Sequence, residues 1–355
     1  MRVGPIAPPW APVPPPEYGG TELVVAELAT GLEAAGADVV LFATGDSTCP
    51  VPLCWHHPRA LGTEYRPGPE LVHVAAAYRS LSDVDVIHDP TILGPHWARK
   101  PRLDLPIVTT VHGAFLPRRT AHYERIHREG IHIVGISHAQ AATAPGKVVD
   151  SVIHHGVSPE RYPLGTGDGG YVAFLGRVCE EKGPHLAIEA ARRAGVPIRL
   201  AAKVSEPEEH RFFTEVVEPL LGPDAQFLGE VGHAAKVDLL QGATALVNPI
   251  RWDEPFGLVM IESMLCGTPV VTFPEGAAPE LVDNGVTGFL CTDEAALGPA
   301  IAAASTLDRA ACRAHAAERF STERMVREHL DLYRALVSAT GGSGPGSGPA
   351  IRPAA

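Results

Sequence analysis

The chain has 355 residues, enough for about two domains of roughly 150 residues each, so a single small module is excluded. Its formal net charge is −12 and it has no run of five or more Lys and Arg residues, which argues against nucleic acid as a partner. Hydrophobic residues make up 45% of the sequence and charged residues 20%, as is typical of globular proteins.

Membrane, targeting and metal signals are weak in this sequence. No apolar stretch reaches the roughly 18 residues of a membrane-spanning helix, so we expect no stable membrane insertion. The first residues lack the features of a secretory signal, and we expect a cytoplasmic location. The 6 cysteines show no C-x-x-C spacing and the 17 histidines no H-E-x-x-H motif, so reduced thiols and no bound metal are expected.

Short β-branched runs alternate with amphipathic stretches, the pattern of parallel sheets covered by helices. In the first half, a helix over residues 21–35 with Gly36 as its stop follows a proline-rich loop. The strands predicted in this half are residues 37–43, 84–88, 106–112, 132–137 and 151–155. The stretch Asp83-Val84-Asp85 matches a D-x-D metal motif, but it precedes its strand, and we interpret it as a helix-to-strand turn.

A second set of strands follows a Gly- and Pro-rich linker at residues 156–169. Its strands are residues 170–176, 198–203, 225–228, 243–249, 269–273 and 288–291, with a helix over 183–194. We predict an α/β protein with two doubly wound Rossmann-like domains, 1–157 and 158–320, whose ligand loops face one cleft. A helix over 321–338 and a flexible tail over 340–355 complete the chain.

The candidate site in this sequence depends most on residues 253–267. Pro255 fits the first turn of a helix of about three turns, and Gly267 fits its stop. Within that helix only Glu262 is charged, and its neighbours three and four residues away are apolar, so the carboxylate is expected to be buried. A buried acid needs partners, either an internal salt bridge or capping contact, or a ligand.

Of these two alternatives, the amino end of this helix favours a bound ligand as the partner of the acid. Free amides of Phe256, Gly257 and Leu258 would form an anion site of the kind that holds phosphate. Glu254 stands beside it, where it can accept hydrogen bonds from hydroxyl groups. We therefore interpret the segment as a seat for a phosphate and sugar hydroxyls, with a ribose diol held by Glu262.

A second cluster contains two cations. Arg177 falls at the carboxyl end of a predicted strand, and Lys182 precedes a helix amino end, where it opposes the helix dipole. A bound multivalent anion would explain both; the alternative is surface pairing with Glu180 and Glu181.

Glycines and histidines add weaker signals in the first half. In Tyr18-Gly19-Gly20-Thr21-Glu22, the glycine pair opens a helix and permits close approach of a ligand, although a plain turn is the alternative. His112 and His88 each end a predicted strand, so both are expected to face the cleft, although either could be structural.

At these residues the chain resembles the retaining, metal-independent nucleotide-sugar glycosyltransferases of the GT-B fold, in the large family numbered four. The resemblance rests on Glu254-Pro255-Phe256-Gly257 with Glu262, on residues 267–271 and 279–288, and on Phe174-Leu175-Gly176-Arg177 with Glu181-Lys182-Gly183. It implies transfer of a sugar from a nucleoside-diphosphate sugar to an acceptor hydroxyl, with retention of configuration. The nucleotide sugar is then a substrate, and no cofactor is expected.

The resemblance also implies roles for individual residues. Arg177 and Lys182 would neutralise the diphosphate, Glu254 would contact the donor sugar, and Glu262 would hold the ribose. His112 would lie near the transferred sugar, Gly19 and Gly20 would border the donor phosphates, and the terminal helix would pack across the first domain.

Because the strand that ends at Lys203 lacks the family's Gly-x-Gly ending, the base pocket is expected to differ and Lys203 to contribute to it. The expected catalytic residues are Glu254, Arg177, Lys182 and His112, and the expected donor-binding residues are Gly19, Gly20, Arg177, Lys182, Lys203, Glu254, Phe256, Gly257, Leu258 and Glu262.

Other functions stay open on the sequence alone. A sugar-nucleotide epimerase or a phosphorylase can use the same architecture, since a fold does not determine the second substrate. A two-lobed binding protein or a nicotinamide dehydrogenase is a further alternative. We expect the acceptor, a soluble small molecule or saccharide, to bind the irregular loops 11–16, 46–65 and 115–120 of the first domain.

Overall fold

Two six-stranded parallel sheets organise the part of the chain that the computed structural model describes, residues 1–17, 19–62, 66–98 and 105–341. Both are built from strands that alternate with helices, and the predicted fold class is confirmed. The tail predicted over 340–355 lies outside the described residues from residue 342 onward, as does Tyr18.

The first sheet has the strand order β2-β1-β5-β6-β7-β8, and a small sheet pairs β3 with β4. Its order reverses beside β1, which creates a switch point where a cleft opens at the carboxyl ends of the strands. The elements of this half are β1 (Arg2–Pro5), α1 (Gly20–Ala34), β2 (Asp38–Val39), β3 (Leu41–Ala43), β4 (Leu53–Trp55), α2 (Pro67–Ser80), β5 (Val86–His88), α3 (Gly94–Trp97), β6 (Ile107–Thr110), α4 (Thr120–Arg128), β7 (His132–Gly135), α5 (His138–Ala142) and β8 (Ser151–Val152).

The second sheet repeats this plan with the order β11-β10-β9-β12-β13-β14. Here the order reverses beside β9, so a second switch point lies at the carboxyl ends of β9 and β12. The elements are β9 (Val172–Arg177), α6 (Pro184–Ala194), β10 (Ile198–Lys203), α7 (Pro207–Phe212), β11 (Ala225–Gly229), α8 (His233–Gly242), β12 (Leu246–Asn248), α9 (Leu258–Leu265), β13 (Val270–Thr272), α10 (Ala278–Leu281), β14 (Gly288–Leu290), α11 (Glu294–Ala304), α12 (Arg309–Phe320) and α13 (Thr322–Gly341).

Each sheet is buried on both faces because successive strand residues point to opposite sides. In β5, Val86 joins the hydrophobic cluster on one face and Ile87 the cluster on the other. The same alternation in β9 sends Ala173 to one face and Phe174 to the other. The apolar runs in the sequence therefore mark central strands covered by two helical layers.

The last helix returns to the first half of the chain. Val157 pairs with Ser321 in an isolated parallel bridge, and α13 then packs its Val326 against α1. Gly31 permits this approach, because a Cβ added there would lie 2.6 Å from a Val326 methyl carbon. The helix extends to Gly341, three residues beyond the predicted end at 338.

Most predicted strands are present but shorter. The strand predicted over 106–112 ends at Thr110, so His112 lies in the loop after it. Asp83 and Asp85 lie between α2 and β5, where Arg2 binds both, through its guanidinium at 2.7 Å from Asp83 and its backbone nitrogen at 2.6 Å from Asp85. That pairing confirms the turn interpretation of this D-x-D stretch. Among the described residues, no helix combines the length and apolar character needed to span a membrane.

Candidate active site

A cleft of about 360 Å³ lies between the two sheets at the carboxyl ends of their strands. One wall comes from the ends of β9 and β10 with the start of α9, and the other from the start of α1 with the loop after β6. All of the predicted site residues except Arg177 line this cleft: Gly19, Gly20, His112, Lys182, Lys203, Glu254, Phe256, Gly257, Leu258 and Glu262.

Glu262 is buried in the cleft wall, with 2% of its surface exposed. Its Oε1 accepts hydrogen bonds from the Tyr162 hydroxyl at 2.7 Å and from Lys236 Nζ at 2.5 Å. Burial and the negative charge of Glu262 raise the pKa of Tyr162, so the phenol stays protonated and donates. The salt-bridge alternative is therefore confirmed, since Lys236 neutralises the acid, while the role of Glu262 in holding a ligand stays a prediction.

Lys182 and Glu254 form an ion pair in the cleft. The Trp252 indole donates to the same Oε2 of Glu254 at 2.9 Å, and Lys182 Nζ lies 5.4 Å from the centre of the Trp252 ring. Surface pairing of Lys182 with Glu180 or Glu181 is thus wrong. The cation stands just before α6 because a carboxylate from the distant β12–α9 loop stabilises it there.

Arg177 ends β9 as predicted, but its side chain is not part of the cleft wall. Its guanidinium donates to Glu209 Oε1 at 2.7 Å. Glu209 Oε2 in turn accepts from the amide of Ser205 at 2.9 Å at the start of α7. The two expected diphosphate cations therefore have different partners and different positions.

The helix that carries Glu262 begins later than predicted. Pro255 is outside it, and α9 runs from Leu258 to Leu265, about two turns. Gly257 caps it with φ +96°, a left-handed conformation that favours glycine. The amides that start the helix are therefore those of Leu258 and Val259 rather than Phe256 to Leu258, and both residues line the cleft.

The glycine pair of the first half faces this helix start. Gly20 is the first residue of α1, and a Cβ placed on it would lie 3.4 Å from Leu258 Cδ1. Two helix amino ends, those of α1 and α9, thus meet across the cleft. Because helix amino ends carry partial positive charge, this region of the cleft favours an anion.

Two histidines stack at the cleft in neutral form. Nδ1 of His112 lies 3.2 Å from Nε2 of His155, with 5.0 Å between the ring centres. Burial, with the nearby His329, lowers the pKa of His112 to about 4, and burial also lowers that of His155. His88 does not face the cleft, contrary to expectation, since it is buried against Tyr333 and Thr110.

Lys203 closes the far end of the cleft at the carboxyl end of β10. Its Nζ lies 3.8 Å from Glu230 Oε1, and both residues line the cleft. This pair presents a donor and an acceptor side by side, which suits recognition of a polar ring edge.

A second cavity of about 250 Å³ opens into the first domain beside the cleft. Thr21 and His112 line both spaces, so the two adjoin. The wall of the second cavity also carries Glu22 and Arg119, and burial raises the pKa of Glu22.

Several cleft residues were not singled out from the sequence: Arg161, Glu230, His233 and Lys236. Lys236 lies 26 residues before its partner Glu262, and no local spacing links them. One usable signal existed, because the loop after β11 lies at the carboxyl edge of the sheet, where parallel sheets bind ligands.

Comparisons with known proteins agree with this architecture. A family model described as Glycosyltransferase Family 4 matches residues 18–161, and one described as Glycosyl transferases group 1 matches residues 163–318. The glycogen synthase of Mycobacterium tuberculosis is 28% identical over 284 residues, which cover 70% of this chain. The matched region spans 63% of that relative, less than two thirds of its length.

Solved structures show the same fold. Sucrose-phosphate synthase from Thermosynechococcus elongatus superimposes with a TM-score of 0.77 at 22% identity, over 96% of this chain and 100% of that one. Anabaena HepE in complex with UDP-glucose gives a TM-score of 0.71 at 19% identity, over 95% of this chain and 100% of the other.

Proposed function

Because the chain belongs to the GT-B glycosyltransferases of family four, we propose that its cleft transfers a sugar from a nucleoside-diphosphate sugar to an acceptor hydroxyl. The observation that carries the proposal is the grouping of Lys182, the amino end of α9 and Glu262 along one wall. The grouping offers in turn a cation, helix amides and a buried carboxylate. HepE, a neighbour in fold, was solved with UDP-glucose.

The donor would lie along this wall with its pentose at Glu262. Lys236 and Tyr162 both hold Oε1, so Oε2 is the oxygen we assign to the pentose hydroxyls. The base would extend toward Lys203 and Glu230, which present a donor and an acceptor.

The diphosphate would lie between the amino ends of α1 and α9, with Lys182 beside it. Because Lys182 pairs with Glu254, binding of the diphosphate would exchange the carboxylate for phosphate. Glu254 is then released to accept hydrogen bonds from the donor sugar. In the same way, Arg177 would reach the diphosphate only by leaving Glu209.

Sugar transfer places negative charge on the leaving diphosphate, and the cleft contains groups that would stabilise this charge. The bond between the anomeric carbon and the bridging phosphate oxygen breaks, and its electron pair stays on the diphosphate. The acceptor oxygen forms the new bond on the same face, and its proton passes to the departing phosphate. Fixed cations and amides stabilise the growing negative charge, each contributing about 2.7–4 kcal/mol in comparable sites.

The acceptor would occupy the second cavity, which meets the cleft at Thr21 and His112. Its volume of about 250 Å³ suits a small molecule or one saccharide unit, and Glu22 and Arg119 offer polar contacts. A soluble acceptor, retention of configuration, independence of metal ions and a cytoplasmic location stay predictions.

Nucleotide binding is the first test. Thermal unfolding with UDP, GDP, ADP and dTDP should show a higher midpoint for at least one diphosphate, since ligands that bind the folded state stabilise it. NAD serves as the control for a dehydrogenase. Stabilisation by NAD alone, or by none of these compounds, would contradict the proposal.

Product analysis tests the chemistry. With the nucleotide that binds, hydrolysis of its sugar conjugate in the absence of acceptor supports transferase chemistry. NMR of the glycosidic product then reports the configuration, and an inverted product would overturn the front-face mechanism. Release of a sugar phosphate with inorganic phosphate as acceptor would indicate a phosphorylase instead.

A further inference from the structure

Three side chains that could bind a metal ion lie close together outside the cleft, those of His138, His154 and Glu280. One ligand atom from each lies within 4.8 Å of the other two, and among the described residues this is the one group of three of this kind. None of the three lines the cleft or the second cavity. We propose that they form a binding site for a divalent transition metal, with Zn²⁺ as the best match, that ties the two domains together.

The donor set favours a metal of this class. Two imidazoles and one carboxylate suit Zn²⁺, and a fourth position can be left to water. Carboxylate-rich, imidazole-free sites suit Mg²⁺ or Ca²⁺ instead. Sequence spacing did not show the site, because its ligands come from three separate segments.

Two of the ligands are already held in place. Glu280 Oε1 accepts from the amide of Ala139 at 2.6 Å, which orients the carboxylate from behind. His154 Nε2 lies 2.8 Å from Glu280 Oε2, and its ring packs beside those of Phe256 and Phe320, at 5.9 and 6.0 Å between ring centres. These contacts hold two potential ligand atoms close together.

The third ligand is free to complete the set. His138 is exposed, and its ring centre lies 5.9 Å from that of His154. Bonds of about 2.0–2.2 Å around a tetrahedral ion place ligand atoms about 3.4 Å apart. The close His154–Glu280 contact would therefore open by about half an ångström, and His138, which is exposed, would turn inward.

The proposed metal site lies at the boundary between the two domains. His138 begins α5 and His154 follows β8, both in the first domain, whereas Glu280 lies in α10 of the second. Ser137 also donates across the same boundary to the Pro255 carbonyl at 2.7 Å, next to the cleft. A bound ion would connect the domains, with two ligands from the first and one from the second, and so restrain their relative motion.

Metal binding is measured directly, without reference to activity. Titration of the full chain with Co²⁺ and Zn²⁺, followed by visible absorption and by calorimetry, should show one site. His138→Ala should weaken binding by about 10–100-fold or more, the loss found even for residues that only support metal ligands. His210→Ala is the matched control, since His210 is also exposed but lies on α7.

The two variants separate the outcomes. Weaker binding in His138→Ala with unchanged binding in His210→Ala supports the site. Equal affinity in the wild type and His138→Ala, or no binding in the micromolar range, overturns it.

Turnover provides a second readout, which rests on the proposed transferase function. Zn²⁺ should slow sugar transfer in the wild type reversibly on chelation, and His138→Ala should resist this inhibition while keeping the metal-free rate. Metal binding without inhibition would support the site but contradict the proposed restraint on domain motion. If the chain transferred no sugar at all, the binding titration would still decide the metal site.

Discussion

Lys182 donates to Glu254 in the cleft, although the two residues lie 72 positions apart. From the sequence, each of them was expected to contact a ligand. The Trp252 indole binds the same carboxylate oxygen. This pairing neutralises both charges, which lowers the cost of keeping a cation and an acid in the cleft wall. A donor must compete with this pair before its diphosphate can contact Lys182.

Removal of the Lys182 charge should reduce catalysis far more than stability. In Lys182→Ala we expect turnover at saturating donor to fall by about 10²–10³-fold, since one fixed donor to the leaving group is lost. The exposed Lys147 provides the matched variant Lys147→Ala, which should retain wild-type turnover. Circular dichroism checks the fold, and wild-type turnover in Lys182→Ala would remove the leaving-group role.

The pentose contact of Glu262 can be isolated with a pair of nucleotides. Wild type should bind a ribonucleoside diphosphate more tightly than its 2′-deoxy form, because the carboxylate loses a hydroxyl partner in the latter. In Glu262→Gln this difference should shrink by about 1 kcal/mol or more, as expected for a hydrogen bond to a charged group. Calorimetry with UDP and dUDP measures it, and exposed Glu215→Gln is the control. An unchanged difference would show that the pentose binds elsewhere.

Gly257 and Gly36 have similar left-handed backbones, with φ +96° and +85°. Substitution by alanine should cost each about 1 kcal/mol of stability from backbone strain. A Cβ at Gly257 would also lie 2.4 Å from Met260 Cε, whereas Gly36 has no atom within 4 Å. We therefore expect Gly257→Ala alone to weaken nucleotide binding. Thermal unfolding and calorimetry on both variants test this, and equal nucleotide affinity in the two would contradict it.

Acid should destabilise the protein through its buried histidines. Burial lowers the pKa of His329 to about 4, against 6.5 for the unfolded chain. The unfolded state therefore binds more protons between these values, and stability present above pH about 6.5 is lost as pH falls toward 4. His329→Leu should show a shallower fall of Tm over this range.

The exposed His210 again provides a control for the pH series. His210→Leu should follow the wild-type profile, because this substitution removes no buried imidazole. Parallel profiles for the wild type and His329→Leu would show that His329 does not drive the acid loss.

Local patterns in the sequence carry much of the fold. The apolar run at Ile198–Lys203 forms β10 with the predicted bounds, because a run of apolar residues is itself the pattern of a strand buried on both faces. Gly195, with φ +69°, ends α6 as predicted. The burial of Glu262 also follows from its apolar helical neighbours, since those neighbours are a property of the segment alone.

Tertiary structure alone decided how the charged groups are paired. Lys236 reaches Glu262, Arg177 turns to Glu209, and Lys182 finds Glu254 only after two sheets and their loops have assembled. Ion pairing depends on distance in space, and no local spacing encodes that distance. The start of α9 at Leu258 is decided in the same way, because the loop before it is held by contacts from other segments, such as Ser137 on the Pro255 carbonyl.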